Sequence, residues 1–389
     1  TYPGDEMLLR LLDGAHEEQH SFNLTGMYWQ KELNDSHSPL AAAQTIGISE
    51  AFNFRIDKPY GSGDYLYYYG GIDDVWLGLW GSVRAYEREQ PCLKPLCQGR
   101  ARILPLPPCP GMNAVIRKYE VAAIQTDIQY NRYGDHDPDG LVFVPAEDVE
   151  MIRCGKREVK PLILRANVGE WIEVTLHNLF EKEVPYFAYP RVPLDREYKP
   201  SMRVSLNPQF LHYDAMDSGI NVGRNNREQT VGPGESRKYL WYADREYGAC
   251  ILQSFGDMRN HRYHGLFGMI IIEPAGARWY KSMPGVGEQY GEQAVITAPG
   301  KDTFREFAVF IQNGIRLLDI NDELIKTATD DGEGVDDEDT GEKGYNYRSE
   351  RFYNRLLRDE HISRVFSSRV HGDPATPVFL TYSGERVLF

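Results

Sequence analysis

Cysteine is scarce in this chain, with five in 389 residues. That is too few for a disulfide framework, and no two stand as Cys-x-x-Cys, which removes the commonest zinc and redox patterns. Ten histidines occur, but no two form a His-x-His pair. Basic residues are outnumbered, 43 Lys and Arg against 57 Asp and Glu, for a formal charge of −14. Such a field attracts cations and opposes nucleic acid or an anionic membrane. No apolar run approaches the roughly 20 residues of a spanning helix. The first residues have neither the basic nor the apolar region of a signal peptide, so an exported form would already have lost its signal. A Gly-x-Ser-x-Gly elbow, a phosphate loop and His-Glu-x-x-His are also missing, and with them the templates for three common hydrolytic chemistries.

Tyrosine (25), glycine (36) and proline (23) are plentiful. Short Val/Ile/Tyr/Phe runs between turn residues predict many short strands, hence an all-β chain long enough for two or three domains. One pattern repeats. Thr1-Tyr2-Pro3-Gly4-Asp5-Glu6-Met7-Leu8-Leu9 returns as Thr381-Tyr382-Ser383-Gly384-Glu385-Arg386-Val387-Leu388-Phe389, with a weaker relative at Ala166 to Val174. Each reads as a glycine turn followed by a strand. The expected organisation is therefore the later strands of one sandwich over 1–90, a Pro/Cys-rich linker over 91–113 and a complete sandwich over 114–275. A Gly-rich linker over 276–294 and the opening strands of a further sandwich over 295–389 follow. Simple truncation, one period of a longer tandem protein, and completion of the first domain by the last strands of a neighbour all fit this order.

Several clusters carry alternatives. Cys92, Cys97 and Cys109 lie close enough in the linker for a bridge to staple it, or remain free thiols. Cys154 and Cys250 sit in strand-like contexts and are expected to be buried or paired. The run from 327 to 342 holds eight carboxylates and almost nothing apolar, which predicts a solvated loop and leaves open a weak Ca²⁺ or Mn²⁺ site. Asp135-His136-Asp137-Pro138-Asp139-Gly140 is rich in ligand atoms, yet Asp-Pro and Asp-Gly are turn chemistry first. His261 and His264 are spaced for a metal on a helix or turn, as are His16 and His20; hydrogen-bonded structure is the bland alternative for both.

His20-Ser21-Phe22-Asn23-Leu24-Thr25-Gly26-Met27-Tyr28-Trp29 resembles the multicopper oxidase motif His-x-Phe-His-Leu-His-Gly-His-x-Phe/Trp. Tyr130 to Gly140, Gln229 to Glu235, Tyr239 to Asp244 and His264 to Pro274 extend the resemblance to the large bacterial multicopper oxidases, including the manganese-oxidising kind. The resemblance implies tandem Greek-key cupredoxin β-sandwiches. It also implies a blue copper site of Cys, two His and an axial ligand, and a cluster held by His-x-His pairs.

Those ligands are largely replaced. His20 keeps the blue-copper position, whereas Asn23 and Thr25 stand for cluster histidines and Met27 for the last His of the motif. The partner motif, His-Cys-His-x-x-x-His-x-x-x-x-Met, reads Tyr68-Tyr69-Gly70 with Asp74 and Leu79, so that Tyr69 replaces the Cys, Asp74 a His and Leu79 the axial Met. In the second sandwich Asn207 and Gln209 stand where His-x-His belongs, and Gln253-Ser254-Phe255 or Phe255-Gly256-Asp257 supplies the other pair. No cofactor is expected in this chain, and copper only if a composite site retains the family chemistry. Fold alone does not license activity. The leading expectation is an extracellular scaffold or assembly subunit, with other copies of itself or further cupredoxin domains as partners, by head-to-tail strand exchange. The alternative is an internal segment of a large secreted multicopper oxidase, working on Mn or Fe, whose copper lies elsewhere. A weaker reading has His20, His261 and His264 binding another divalent cation.

Overall fold

The computed structural model describes residues 1–14, 19–56, 60–94, 96, 109–186, 198–281, 292–325 and 342–389. The chain is all-β, in three successive groups of strands. The first holds β1 (Met7–Leu12), β2 (His20–Leu24), β3 (Trp29–Gln30), β4 (Leu40–Ala41), β5 (Ala43–Ile46), β6 (Ala51–Ile56), β7 (Gly63–Tyr69) and β8 (Trp80–Ala85). They form two four-stranded sheets, β1-β6-β3-β4 and β5-β2-β7-β8. Alternation decides which side chains meet between them. In β1, Met7, Leu9 and Leu11 turn inward while Leu8, Arg10 and Leu12 face out. Trp29 stacks on Phe54 with ring centroids 4.4 Å apart at the centre of this core.

The second group contains β9 (Ile116–Gln125), β10 (Ile128–Gln129), β11 (His136–Asp137), β12 (Leu141–Pro145), β13 (Leu162–Asn167), β14 (Trp171–Asn178), β15 (Asn207–Pro208), β16 (Ser236–Tyr242), β17 (Gly248–Gln253) and β18 (Phe267–Glu273). Sheets β12-β9-β14-β16 and β13-β18-β17-β15 face each other, and the chain crosses between them repeatedly, as a Greek-key sandwich requires. Two pairings are parallel, β14 with β9 and β13 with β18. β13 is buried at all six positions, the mark of a strand covered on both faces.

In the third group β19 (Arg278–Lys281), β20 (Gln293–Thr297), β21 (Phe304–Phe307) and the distant β24 (Val387–Leu388) make one sheet. Between β21 and β24 lie β22 (Ile311–Ile315) and β23 (Glu342–Tyr345), a hairpin-like pair. Ile315, Leu317, Ile325 and Tyr347 share a core with Ile124, Tyr130, Val142 and Val144 of the second sandwich.

Polar ties complete this junction. Asp135 accepts from Arg351 at 3.3 Å and from Asn354 at 3.2 Å. The His136 backbone pairs with Leu318, and the Asp137 carboxylate lies 3.0 Å from His264 Nδ1. Three consecutive residues thus bind three separate segments, so the ligand-rich run serves as a hub whose oxygens are already engaged. Deeper in, Arg165 bonds both Glu273, at 2.8 Å, and Glu306 of β21.

Cys92 and Cys109 are free thiols, so these two do not staple the linker; Cys97 lies outside the described residues. Cys154 is exposed and free, contrary to its expected burial, because it sits at the C-cap of the short helix Val149–Arg153 and not within a strand. Cys250 is buried, outside any disulfide, and its thiol donates to the Gly248 carbonyl at 3.6 Å. Of the acidic run, only Glu342 is described, half-buried at the start of β23. Linker residues 97–108 and 282–291 and His16 also lie outside the described residues.

One cation between two buried carboxylates has a pH signature. Burial chiefly, and then Glu306, push the Glu273 carboxyl up to about 7, against the pull of Arg165. A carboxyl that holds its proton more tightly folded than unfolded contributes stability below the ordinary carboxylate range, and that contribution is lost as pH rises through about 7. E273Q should therefore flatten the fall in urea midpoint between the ordinary carboxylate range and neutrality; a variant with the unaltered chain's pH profile would contradict this origin.

Candidate functional site

The seam between the first two groups is built from alternate residues of four strand segments. Strand β2 directs Asn23 toward it, with Thr25 just beyond the strand end; Tyr68 lies on β7 with Gly70 just beyond it; β15 brings Asn207 and then Gln209; β17 brings Gln253 and then Phe255. All but Gly70 line one cavity of about 20 Å³, room for about one water. Gly70 borders the same place, since a Cβ there would meet Asn23 Nδ2 at 3.1 Å. Four pairs at i and i+2 thus converge, the arrangement that four His-x-His pairs would need to surround a metal cluster.

Their chemistry differs from a cluster's. Asn23 Nδ2 donates to the Ser21 carbonyl at 2.8 Å. The Thr25 hydroxyl donates to the Leu66 carbonyl and accepts from the Leu66 N–H, at 3.2 and 3.0 Å. Asn207 Nδ2 donates to the Ser218 carbonyl at 2.8 Å. The Tyr213 hydroxyl faces Asn207 and Thr25; burial pushes that phenol up to about 12, and these two neighbours oppose the shift. On the other side Arg262 donates to Gln253 Oε1 at 3.1 Å and to the Gly70 carbonyl at 3.1 Å. Tyr68 bonds Gln253 and meets Phe255 edge to face at 5.9 Å; burial raises its pKa. Amides, hydroxyls and one guanidinium, bonded largely to backbone and with no imidazole among them, make up this set, and copper does not fit it.

The blue-copper counterpart lies nearby on β2 and β7. His20 Nδ1 is 3.0 Å from Asp74 Oδ1, with both side chains mostly buried. The Tyr69 ring packs edge to face on His20 at 5.5 Å; burial raises its pKa and neighbouring carboxylates add to the rise. Leu79 is exposed and offers only its backbone carbonyl, to the Tyr69 N–H. Met27 is buried in the first core, where a histidine would carry an unsatisfied ring nitrogen. A carboxylate and a phenol thus surround the one histidine left, and the thiolate that binds and tunes blue copper is missing. Copper does not fit here either.

His261 and His264 go separate ways from the short helix Asn260–Tyr263. His261 Nε2 donates to the Ser201 carbonyl at 2.8 Å, which leaves Nδ1 to accept from Ser254 at 3.1 Å. Burial lowers its pKa and favours this neutral form. His264 faces Asp137, at the opposite side of the helix end. His20, His261 and His264 therefore occupy three separate sites. Among the described residues no group of three or more His, Cys, Asp or Glu is arranged to hold a metal ion.

Sequence motifs identify Asn23, Thr25, Tyr68, Gly70, Asn207 and Gln209, but not Tyr213, Arg262 or the frame of Gln253 and Phe255. Only strand register selects Gln253-x-Phe255 over Phe255-x-Asp257: Asn207 pairs with Gln253 across the sheet. Beyond Gln209 and Gln253 opens a larger cleft of about 380 Å³, walled by β17, β18 and residues 309–315 and mostly apolar.

No protein-family model and no curated protein matches the chain. Among solved structures it is similar to a multi-copper oxidase from Pseudomonas thermotolerans, at 14% identity over 60% of this chain and 42% of that one, with a TM-score of 0.37. It is also similar to a copper nitrite reductase from Nitrosomonas europaea, at 16% identity over 70% of this chain and 81% of that one, with a TM-score of 0.23. The alignment spans less than half the length of the first.

Truncating one partner of the His20–Asp74 pair leaves a buried polar group unpaired. D74A should lower stability in urea by about 1–3 kcal/mol; an unchanged midpoint would show that the pair does not hold β2 to the β7–β8 connection.

Proposed function

We propose that this chain is a cupredoxin-type scaffold in which the positions of copper ligands serve as polar junctions between sandwiches. One observation carries the reading: eight alternate positions converge at the seam with no imidazole or thiolate among them, and the polar side chains there bond backbone carbonyls, at Asn23, Thr25 and Asn207, or meet at Gln253, which Arg262 and Tyr68 both hold. The role it supports is structural, as an assembly element in an extracellular setting, with further sandwiches of its own kind as partners. No helix is long and apolar enough to cross a membrane among the described residues. A second reading, a stretch of a larger multicopper oxidase that works on Mn or Fe with copper elsewhere, draws support from the repeated Thr-Tyr-x-Gly-Asp/Glu segment, which marks a tandem series.

The test is restoration. In Y69C/D74H/L79M the donors that blue copper requires would surround His20 again. The variant should take up Cu²⁺ and acquire an intense blue thiolate-to-copper absorption, while the unaltered chain acquires none and consumes no oxygen with Mn²⁺ or Fe²⁺. A triple variant without the absorption would mean that these positions are not the counterparts of a copper site. Stoichiometric oxidase activity in the unaltered chain would overturn the scaffold reading.

A further inference from the structure

The outward side of β17 and β18 is apolar where a sheet face turned to water would be polar. Cys250, Leu252, Ile270 and Ile272 point into the core of the second sandwich, so alternation turns Ala249, Ile251, Phe267 and Met269 to the other side. Both strands are interior to their sheet, and the surface they make is a face and not an edge. The third group covers part of it. Ala308 and Phe310 pack against Phe267 and Met269, with the Phe267 and Phe310 rings 5.5 Å apart. What this cover leaves is the cleft of about 380 Å³, within the range of small-molecule sites. Ile251 on one wall and Ile311 on the other stay 38% and 76% exposed.

The end of the cleft that adjoins the seam is different. Gln209 and Gln253 line both cavities, and Arg262 lines the cleft beside them. The guanidinium donates to two neutral oxygens, those of the Gln253 side chain and the Gly70 backbone, which leaves it further N–H donors. Among the described residues Arg262 forms no ion pair, and the walls carry no Asp or Glu. The cleft is therefore positive in a chain whose formal charge is −14. An arginine in such a place matches a carboxylate in both charge and geometry. The Gln209 amide, which has no hydrogen bond among the described residues, offers a second donor at the same end.

The geometry points to a binding site for a small apolar monocarboxylate, with its body on Ile251, Phe267, Met269 and Ile311 and its carboxylate on Arg262. Burial of the body supplies most of the attraction, and the guanidinium fixes the orientation and selects the acid over neutral analogues. The field of the whole chain opposes anions at long range, so an inorganic anion or a very short acid gains too little to stay. The ligand must bring its own apolar surface. This site goes beyond the scaffold reading and does not depend on copper.

Isothermal titration calorimetry with octanoate tests it. The unaltered chain should take up one octanoate. Octanamide keeps the body and loses the charge, butanoate keeps the charge and loses four methylenes, and each should bind at least about tenfold more weakly. R262Q should weaken octanoate at least about tenfold while leaving octanamide unchanged, a split that a general loss of structure would not give. I251E, at an exposed position, puts a carboxylate into the cleft without touching the bonds of Arg262 and should abolish octanoate binding; this arm stands even where R262Q does not fold. No octanoate binding by the unaltered chain, octanamide bound as tightly as octanoate, or an unchanged octanoate affinity in I251E would each overturn the inference.

Discussion

A buried hydrogen-bonding group must find its partner inside the protein, and at the seam between the first two sandwiches every strand segment meets this constraint through the same alternate positions. Thr25 fixes the end of β2 to Leu66, Asn207 fixes β15 to Ser218, and the Tyr213 ring is buried beside both. Arg262 closes the other side by holding Gln253 and the Gly70 carbonyl together. These bonds hold the strand ends together, and the amide and hydroxyl groups that make them are engaged with the protein and not turned to a metal. Four converging strand segments thereby become a polar joint with room for about one water.

Other contacts across this seam obey the same logic. Asp64 of β7 holds Arg84 through two bonds of 2.6 and 2.9 Å and exchanges two backbone-to-amide bonds with Asn225. Gly223 is required beside it, since a Cβ there would lie 1.9 Å from Asp64 Oδ2. At the next junction Asp135, His136 and Asp137 tie the second sandwich to the third group. The chain therefore reads as one series of sandwiches in which charged and amide side chains, each with an assigned partner, fix the angle between neighbours.

Much of this is legible in the sequence. Short β-rich runs broken by glycine and proline give the all-β class, and the Thr-Tyr-x-Gly-Asp/Glu repeat marks where equivalent strands begin. The replaced ligands at Asn23 and Thr25, and at Tyr69 and Asp74, can be read from two motifs because each motif is local in the chain. What stays hidden depends on pairing between distant segments. Gln253 is chosen over Asp257 by its register with Asn207, and Asp135 becomes a hub only because Arg351 and Asn354, 216 and 219 residues away, fold against it. His261 and His264 look like a pair by spacing alone, whereas a single turn of helix sends one ring to Ser201 and the other to Asp137.

The central claim is that the polar side chains at the converging positions are engaged within the protein and do not make a copper site. The most direct measurement is the metal-to-protein ratio of the unaltered chain, equilibrated with excess copper, freed of unbound metal by gel filtration and compared with T25A/N207A treated in the same way. The account predicts that any copper retained is substoichiometric and the same in both proteins. One or more copper ions per chain, lost when Thr25 and Asn207 are replaced, would contradict it.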